Sequence, residues 1–259
     1  MTGLPFFQVD AFAPRPLTGN PAAVMPLDRW LDDELMQRIA AENNLSETAF
    51  AVPSESGEAD YDLRWFTPTT EVELCGHATL AAGHVLITGD RVRFSTRSGV
   101  LSVGRSGDLL ELDLPASAVE NAELPEVTRA LGIEAETFQG RQGNGNVLVL
   151  LDDEAAVRAV KPDFAALARL PYLVSVTAPG EEQDVASRVF AAYHGIAEDP
   201  VTGSAHAALA PFWAERLGRS TFTALQASAR TGLLQCRVEG DRVILGGQCF
   251  TTIVGTFQL

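Results

Sequence analysis

Short stretches of strand-like patterning fill most of this chain, and two runs that are apolar on every side interrupt them. Phe6 to Phe12, Thr48 to Pro53, Tyr61 to Phe66, Val92 to Ser95, Leu109 to Leu114, Asn146 to Leu151, Tyr172 to Thr177, Gln235 to Glu239 and Arg242 to Leu245 read as strands. Leu31, Leu35 and Ile39 recur at helical spacing. Asp32, Asp33 and Glu34 crowd the first turn of that helix, where its dipole favours carboxylates, and Asn43-Asn44 stop it. The two all-apolar runs, His77 to Thr88 and Ser204 to Leu217, predict buried helices. Gly89 and Gly218 are placed to end them as left-handed residues. Pro211 lies inside the second run and should kink it or shift its start. A sheet curled around one long apolar helix satisfies both patterns in each half.

The halves are related. Arg97-Ser98-Gly99-Val100-Leu101 recurs as Arg230-Thr231-Gly232-Leu233-Leu234, and Gly107-Asp108 recurs as Gly240-Asp241 at the same offset. Upstream, His77-Ala78-x-Leu80-Ala81 recurs as His206-Ala207-x-Leu209-Ala210, and Arg64-x-Phe66 as Arg188-x-Phe190. The offset grows slowly, from 124 (Arg64 to Arg188) through 129 (His77 to His206) to 133 (Arg97 to Arg230), as small insertions in one ancestral unit produce. A period of about 130 residues is too long for a solenoid. It implies two domains of similar fold, residues 1–117 and 118–259, with the boundary at Pro115-Ala116-Ser117.

Composition narrows the function classes. Apolar residues make up 46% and charged residues 20% of the 259, the balance of a globular protein. No apolar run has the length to cross a bilayer. The formal net charge of −15 and the absence of a basic cluster argue against nucleic acid and anionic membrane surfaces as partners. Three cysteines, Cys75, Cys236 and Cys249, form no C-x-x-C pair and suit a reducing cytoplasm. Four histidines without ligand spacing give no reason in the sequence to invoke zinc.

The candidate chemistry lies in two related loops and one strand. Pro68 to His77 and Glu198 to His206 each deliver the chain to the start of an apolar helix. Free N–H groups and the dipole make such an end an anion site, so Gly76, Gly203 and Ser204 are candidate contacts for a carboxylate. Ordinary helix caps, with Thr202 or Ser204 as capping residue, are the alternative. Glu47 enters the strand at Thr48 and shares a period-two face with Leu45, Ala49 and Ala51. An apolar face destabilises an ionised carboxylate, which suits a group that gives and takes protons near neutrality. The alternative is a strand-edge glutamate turned out to solvent. Asp199 precedes Pro200, where turn formation is the simpler role. His77 is placed to orient a carboxylate or to cap its helix. His206 falls inside the second helix and reads as structural. Cys75, at a helix start, is expected to have a depressed thiol pKa.

Taken in order, Gln8-Val9-Asp10-Ala11-Phe12, Gly19-Asn20-Pro21-Ala22-Ala23-Val24, Asn44-Leu45-Ser46-Glu47-Thr48, Phe66-Thr67-Pro68, Cys75-Gly76-His77-Ala78-Thr79 and Asp199-Pro200-x-Thr202-Gly203-Ser204-Ala205 resemble the PhzF-like family of phenazine-biosynthesis proteins. The resemblance implies an α+β fold of the diaminopimelate-epimerase type, two similar domains each a rolled mixed sheet around a central helix. It implies an isomerase without cofactor or metal, a homodimer, acting on a small carboxylate in the interdomain cleft. It places the proton-carrying glutamate at Glu47, with His77 and Asp199 as its catalytic companions. Gly76, Gly203, Ser204 and Asn20 become substrate contacts. An epimerase or racemase with two bases across the cleft, or a non-catalytic binding module on the same scaffold, are the other readings that the sequence leaves open.

Overall fold

Each apolar helix organises its own unit in the computed structural model, which describes residues 3–141 and 145–259. The first unit runs to Asp113 and takes back Gly246–Leu259; the second is Leu114–Leu245. The fold is α+β, with mixed sheets and few helices.

The first unit contains β1 (Gly3–Ala11), β2 (Asn20–Pro26), α1 (Asp33–Asn43), β3 (Glu47–Pro53), β4 (Tyr61–Phe66), β5 (Glu71–Val72), α2 (Gly76–Leu86), β6 (Arg91–Thr96), β7 (Gly99–Ser106) and β8 (Leu109–Pro115). The second contains β9 (Val119–Asn121), α3 (Pro125–Leu131), β10 (Glu136–Gly140), β11 (Asn146–Leu150), α4 (Glu154–Ala159), α5 (Phe164–Leu167), β12 (Leu173–Pro179), β13 (Val185–Ala191), β14 (Ile196–Asp199), α6 (Gly203–Leu217), β15 (Thr221–Gln226), β16 (Gly232–Glu239) and β17 (Arg242–Gly247). The last strand, β18 (Cys249–Gln258), pairs antiparallel with β1 from Gly3↔Gln258 to Ala11↔Cys249, with a bulge beside Gln8 and Val9. That pairing returns residues 246–259 to the first unit, where the sequence pattern had left them in the C-terminal half.

In the first unit the ladder runs β18–β1–β2–β3–β4–β6–β7–β8, with β2–β3 and β4–β6 parallel and the other pairs antiparallel. Helix α2 packs against β1, β2, β3, β7 and β18. Helix α2 thus meets one end of the ladder at β18 and the strand next to its other end at β7, so the sheet curls around it. On the outer face, α1 lays Met36, Ile39 and Ala40 against Met25, Phe50, Val52 and Phe66. Strand β3 is therefore buried on both faces from Thr48 to Val52, which is why Ala49 to Val52 is an unbroken apolar run rather than an alternating one. Gly83 on α2 faces β7 so closely that a Cβ there would lie 2.5 Å from Val103 Cγ1.

In the second unit the ladder is β9–β10–β11–β12–β13–β15–β16, with β11–β12 and β13–β15 parallel. Helix α6 packs against β11 and β16. On the other face, α3, α4 and α5 bury Val127, Leu131, Val157 and Leu167 against Val147, Val149, Val174, Val176 and Phe190. Helix α6 runs unbroken through Pro211 and its start is not displaced to it. Pro211 has no N–H for the carbonyl of Ala207, one turn earlier. The amide of Ser117 donates to that carbonyl instead, at 2.9 Å, so the interior proline does not leave it stranded.

Helix α6 ends on left-handed Gly218 (φ 65°), whose N–H donates to Ala214 and Glu215 carbonyls. Helix α2 does not end on Gly89. It closes at Leu86, extended Ile87 donates to Gly83 O, and the chain bends at Gly89 and Asp90 before β6. Among the described residues, no helix is long and apolar enough to cross a membrane.

The repeated Arg-x-Phe pair has the same architecture in each unit. Arg64 on β4 donates to both carboxylate oxygens of Glu71 and lies over the ring of Phe66. Arg188 on β13 does the same with Glu198 and Phe190. Each glutamate sits five residues ahead of its central helix, 71 before 76 and 198 before 203. A bidentate arginine thus pins each loop that enters a helix start. Arg188 also donates to the carbonyls of Val157 and Val160 at the end of α4.

Candidate functional site

The parallel pairing of β2 with β3 sets Ala22 opposite Glu47, so Asn20 at the start of β2 and Glu47 at the start of β3 come to the same end of the sheet. Helix α2 begins there with Gly76 and His77, which are both buried. One oxygen of Glu47, Oε2, lies 3.1 Å from His77 Nε2, with their side chains 12% and 5% exposed. Neither atom has a hydrogen bond of acceptable geometry among the described residues. The two are in contact but misaligned, which leaves a carboxylate oxygen and a ring nitrogen, both shielded from water, for a third group to engage.

The other ring nitrogen is held. His77 Nδ1 is 3.2 Å from Asn20 Nδ2, and the Ser46 hydroxyl donates to Asn20 Oδ1 at 3.2 Å. In that arrangement the amide donates to Nδ1, so the neutral ring carries its proton on Nε2, facing Glu47. A hydroxyl both donates and accepts. The amide can therefore turn, accept from a protonated Nδ1 and donate to Ser46, so the same network serves both charge states of the imidazole.

Burial opposes the charged form of His77, but Cys75 and Glu47 beside it outweigh that and hold its pKa well above the usual value. Cys75 Sγ lies 3.5 Å from His77 Nδ1. The expected low thiol pKa is not found: burial first, and the Glu47 charge second, push Cys75 up to about 11. Desolvation and a like charge exceed what one helix end supplies. Near neutral pH the thiol keeps its proton, and it then acts on His77 as a hydrogen-bond partner of Nδ1.

In the second unit, Asp199 ends β14 and is 8% exposed. The Thr202 hydroxyl donates to its Oδ2 at 2.5 Å. Gln226, fully buried on β15, clamps the loop: its Nε2 donates to Asp199 O and its Oε1 accepts from Thr202 N–H. Thr202 is the residue before α6, but its side chain makes no capping bond to that helix; its hydroxyl is committed to Asp199. Gly203 is buried and Ser204 half-buried at the helix start. His206 lies one turn into α6, and its Nδ1–H donates to Thr202 O at 2.9 Å. The structure thus gathers Asn20, Glu47, Gly76 and His77 in one unit, and Asp199, Gly203 and Ser204 in the other. Sequence reasoning missed Ser46 as the partner of Asn20, and Gln226. Ser46 adjoins Glu47 in the motif, but Gln226 carries no local signal because its partners lie on a different element.

Comparison with known proteins agrees with this fold. The sequence model of the family described as "Phenazine biosynthesis-like protein" matches residues 9–255. A protein named as an uncharacterized isomerase from Pseudomonas aeruginosa is 52% identical over 263 residues, covering 99% of each chain. The crystal structure of a phenazine biosynthesis protein of the PhzF family from Enterococcus faecalis superposes with a TM-score of 0.92 at 43% identity, covering 100% of both chains. A hydroxyproline epimerase from Agrobacterium vitis shares the fold alone, with a TM-score of 0.60 at 12% identity, over 98% of this chain and 92% of that one. The architecture is that of the isomerase- and epimerase-type folds. The chain belongs to the phenazine biosynthesis-like family.

Proposed function

We propose that this protein is an isomerase that moves a proton within a small cyclic or amino carboxylic acid by general acid–base catalysis, with Glu47 as the proton carrier. The supporting observation is the shielded contact between Glu47 Oε2 and His77 Nε2, in which neither atom is engaged in a well-formed hydrogen bond. A carboxylate with a free lone pair and little water around it is suited to take a proton from carbon. The developing negative charge on the substrate needs fixed donors. His77, steadied by Asn20, is one such donor, and the α2 start at Gly76 is another. The reading assigns Gly203 and Ser204 to the substrate's carboxylate and Asp199 to its polar groups, roles that rest on the family resemblance together with the Thr202–Gln226 clamp. One carboxyl that removes a proton and returns it nearby isomerises its substrate.

The test is exchange in heavy water. Candidate cyclic amino acids and hydroxyanthranilate-like acids are incubated with the wild type, Glu47→Gln and Asp199→Asn. Deuterium is expected at a ring carbon of the substrate, with Glu47→Gln slower by at least about 100-fold, the lower end of what a positioned acid–base group contributes. Inversion at an α-carbon would replace isomerisation with epimerisation. Undiminished exchange in Glu47→Gln would remove Glu47 from the mechanism.

A further inference from the structure

Proton transfer between Glu47 and a substrate makes no use of Cys75, yet the structure brings that sulfur into the same cluster. One donor atom each from Glu47, Cys75 and His77 lie within 4.8 Å of one another. Cys75 precedes α2 in an extended conformation and its side chain makes no capping bond to the helix. It is directed at the imidazole, 3.5 Å from Nδ1. His77 is 96% buried by its 4% exposure, and its Nε2 has no hydrogen-bond partner among the described residues.

We propose that Glu47, Cys75 and His77 form a binding site for a thiophilic divalent cation of the Zn²⁺ type, and that its occupancy excludes the proton chemistry of the same residues. The donor set selects the ion. A sulfur, an imidazole nitrogen and a carboxylate oxygen suit zinc, whereas magnesium and calcium take oxygen alone. Charge selects it too: a dication with a thiolate, a carboxylate and a neutral imidazole sums to zero, the condition under which charged groups are tolerated in a buried place. Zinc bonds of about 2.0 to 2.3 Å in a tetrahedron set donors about 3.3 to 3.8 Å apart. Glu47 Oε2 and His77 Nε2 at 3.1 Å are already near that separation. The sulfur, within 4.8 Å of a donor atom of each of the other two residues, now lies beside the other ring nitrogen at 3.5 Å and reaches the ion by rotation about its own side chain. Nε2, which faces Glu47 without a well-formed hydrogen bond, is the donor. Its opposite nitrogen then carries a proton, which the turned amide of Asn20 accepts, with Ser46 behind it. A ligating histidine is commonly steadied in this way through its second nitrogen. The fourth position is left to water. Such an ion is an inhibitor of the proposed reaction, because it engages the Glu47 lone pair that would take the proton.

The test reads the metal directly on the full chain after chelator treatment. Zn²⁺ is titrated calorimetrically, and Co²⁺ is titrated with absorption as the readout. Expected are one Zn²⁺ per chain at micromolar affinity, proton release as the thiol ionises, and a thiolate-to-cobalt charge-transfer band. Cys75→Ser should lose the band and weaken Zn²⁺ binding at least tenfold. Glu47→Gln should weaken binding and keep the band. A Cys236→Ser/Cys249→Ser double variant should behave as wild type. Absence of micromolar binding, or a band that survives in Cys75→Ser, overturns the proposal. Circular dichroism on each variant separates loss of ligand from loss of fold. The heavy-water measurements are made in chelator, so failure of the metal site leaves the Glu47 reading standing, and the reverse.

Discussion

His77 and His206 are both more than nine-tenths buried near the start of a helix, and their surroundings push them in opposite directions. Glu47 and Cys75 hold His77 above its ordinary pKa against the effect of burial. Its contribution to stability is fully present below the unfolded value of about 6.5 and is lost as pH rises through the folded value. Among the described residues, no carboxylate offsets the burial of His206. Burial lowers it to about 4, although its bond to Thr202 O favours the charged form. Above about pH 6.5 it is neutral in both states and costs nothing. As pH falls further the unfolded chain takes a proton that the folded chain refuses, so stability drops until the folded value is reached. The loss from this group is about 2 kcal/mol by about pH 5. Urea unfolding at about pH 7 and about pH 5 should show the wild type losing that much more than His206→Asn, whose amide can still donate to Thr202 O. Parallel losses in the two proteins would show that His206 is not the group responsible.

At the scale of elements, each central helix is legible because it has no polar face to hide. Leu80, Ala81, Leu209 and Ala210 are all buried, and the two runs were readable as buried helices from apolarity alone. The strands around them were readable where they alternate, as in β8 with its buried Leu110, Leu112 and Leu114. Strand β2 was not, since Asn20-Pro21-Ala22-Ala23 is poor in the residues that favour strands and is held by its neighbours on both sides. The contacts of Glu47 and His77 were anticipated only through the motif order; nothing local says that β3 and α2 meet. Cys75 was misjudged because a helix start can be recognised in sequence while the depth of a thiol beneath it cannot. Close approach is equally invisible. Gly83 lets α2 approach β7, and a Cβ there would sit 2.5 Å from Val103 Cγ1 and 2.8 Å from Val103 Cβ. Gly83→Ala gains helix propensity of up to about 1 kcal/mol but overpacks a buried seam at a cost of about 1–3 kcal/mol. With the full propensity gain, the net change expected in denaturant unfolding is a loss of up to about 2 kcal/mol. Adding Val103→Ala should then cost less than it does in the wild-type background, the sign of coupling between neighbours. Strict additivity would mean that the seam relaxes elsewhere.

At the scale of the whole molecule, the duplicated sequence hides one asymmetry. Both halves carry the Arg-x-Phe–Glu clamp and the buried helix, yet the first unit is completed from the far end of the chain. Strand β18 covers the whole length of β1, and Thr251 on it meets His84 Nε2 near the end of α2 at 3.0 Å. Its sequence, Thr251-Thr252-Ile253-Val254-Gly255, is strand-like, but the partner that fixes its register is the chain's opening strand. Pairing across that separation is imposed by closure of the sheet around α2 rather than by any local pattern. Removing residues 248–259 therefore strips the unit that holds Glu47 and His77 while leaving the ladder from β9 to β16 intact. Hydrogen exchange on the truncated chain should show amides of β1, β2 and α2 losing nearly all protection. Those of β11, β12 and β13, paired within the second unit, should exchange as slowly as before. Because opening of a cooperative unit exposes its amides together, partial protection confined to α2 would mean that the first unit folds around its helix without the returning strand. Loss of protection in both units would mean that the two do not open independently, and the division at Asp113 and Leu245 would then have no energetic counterpart.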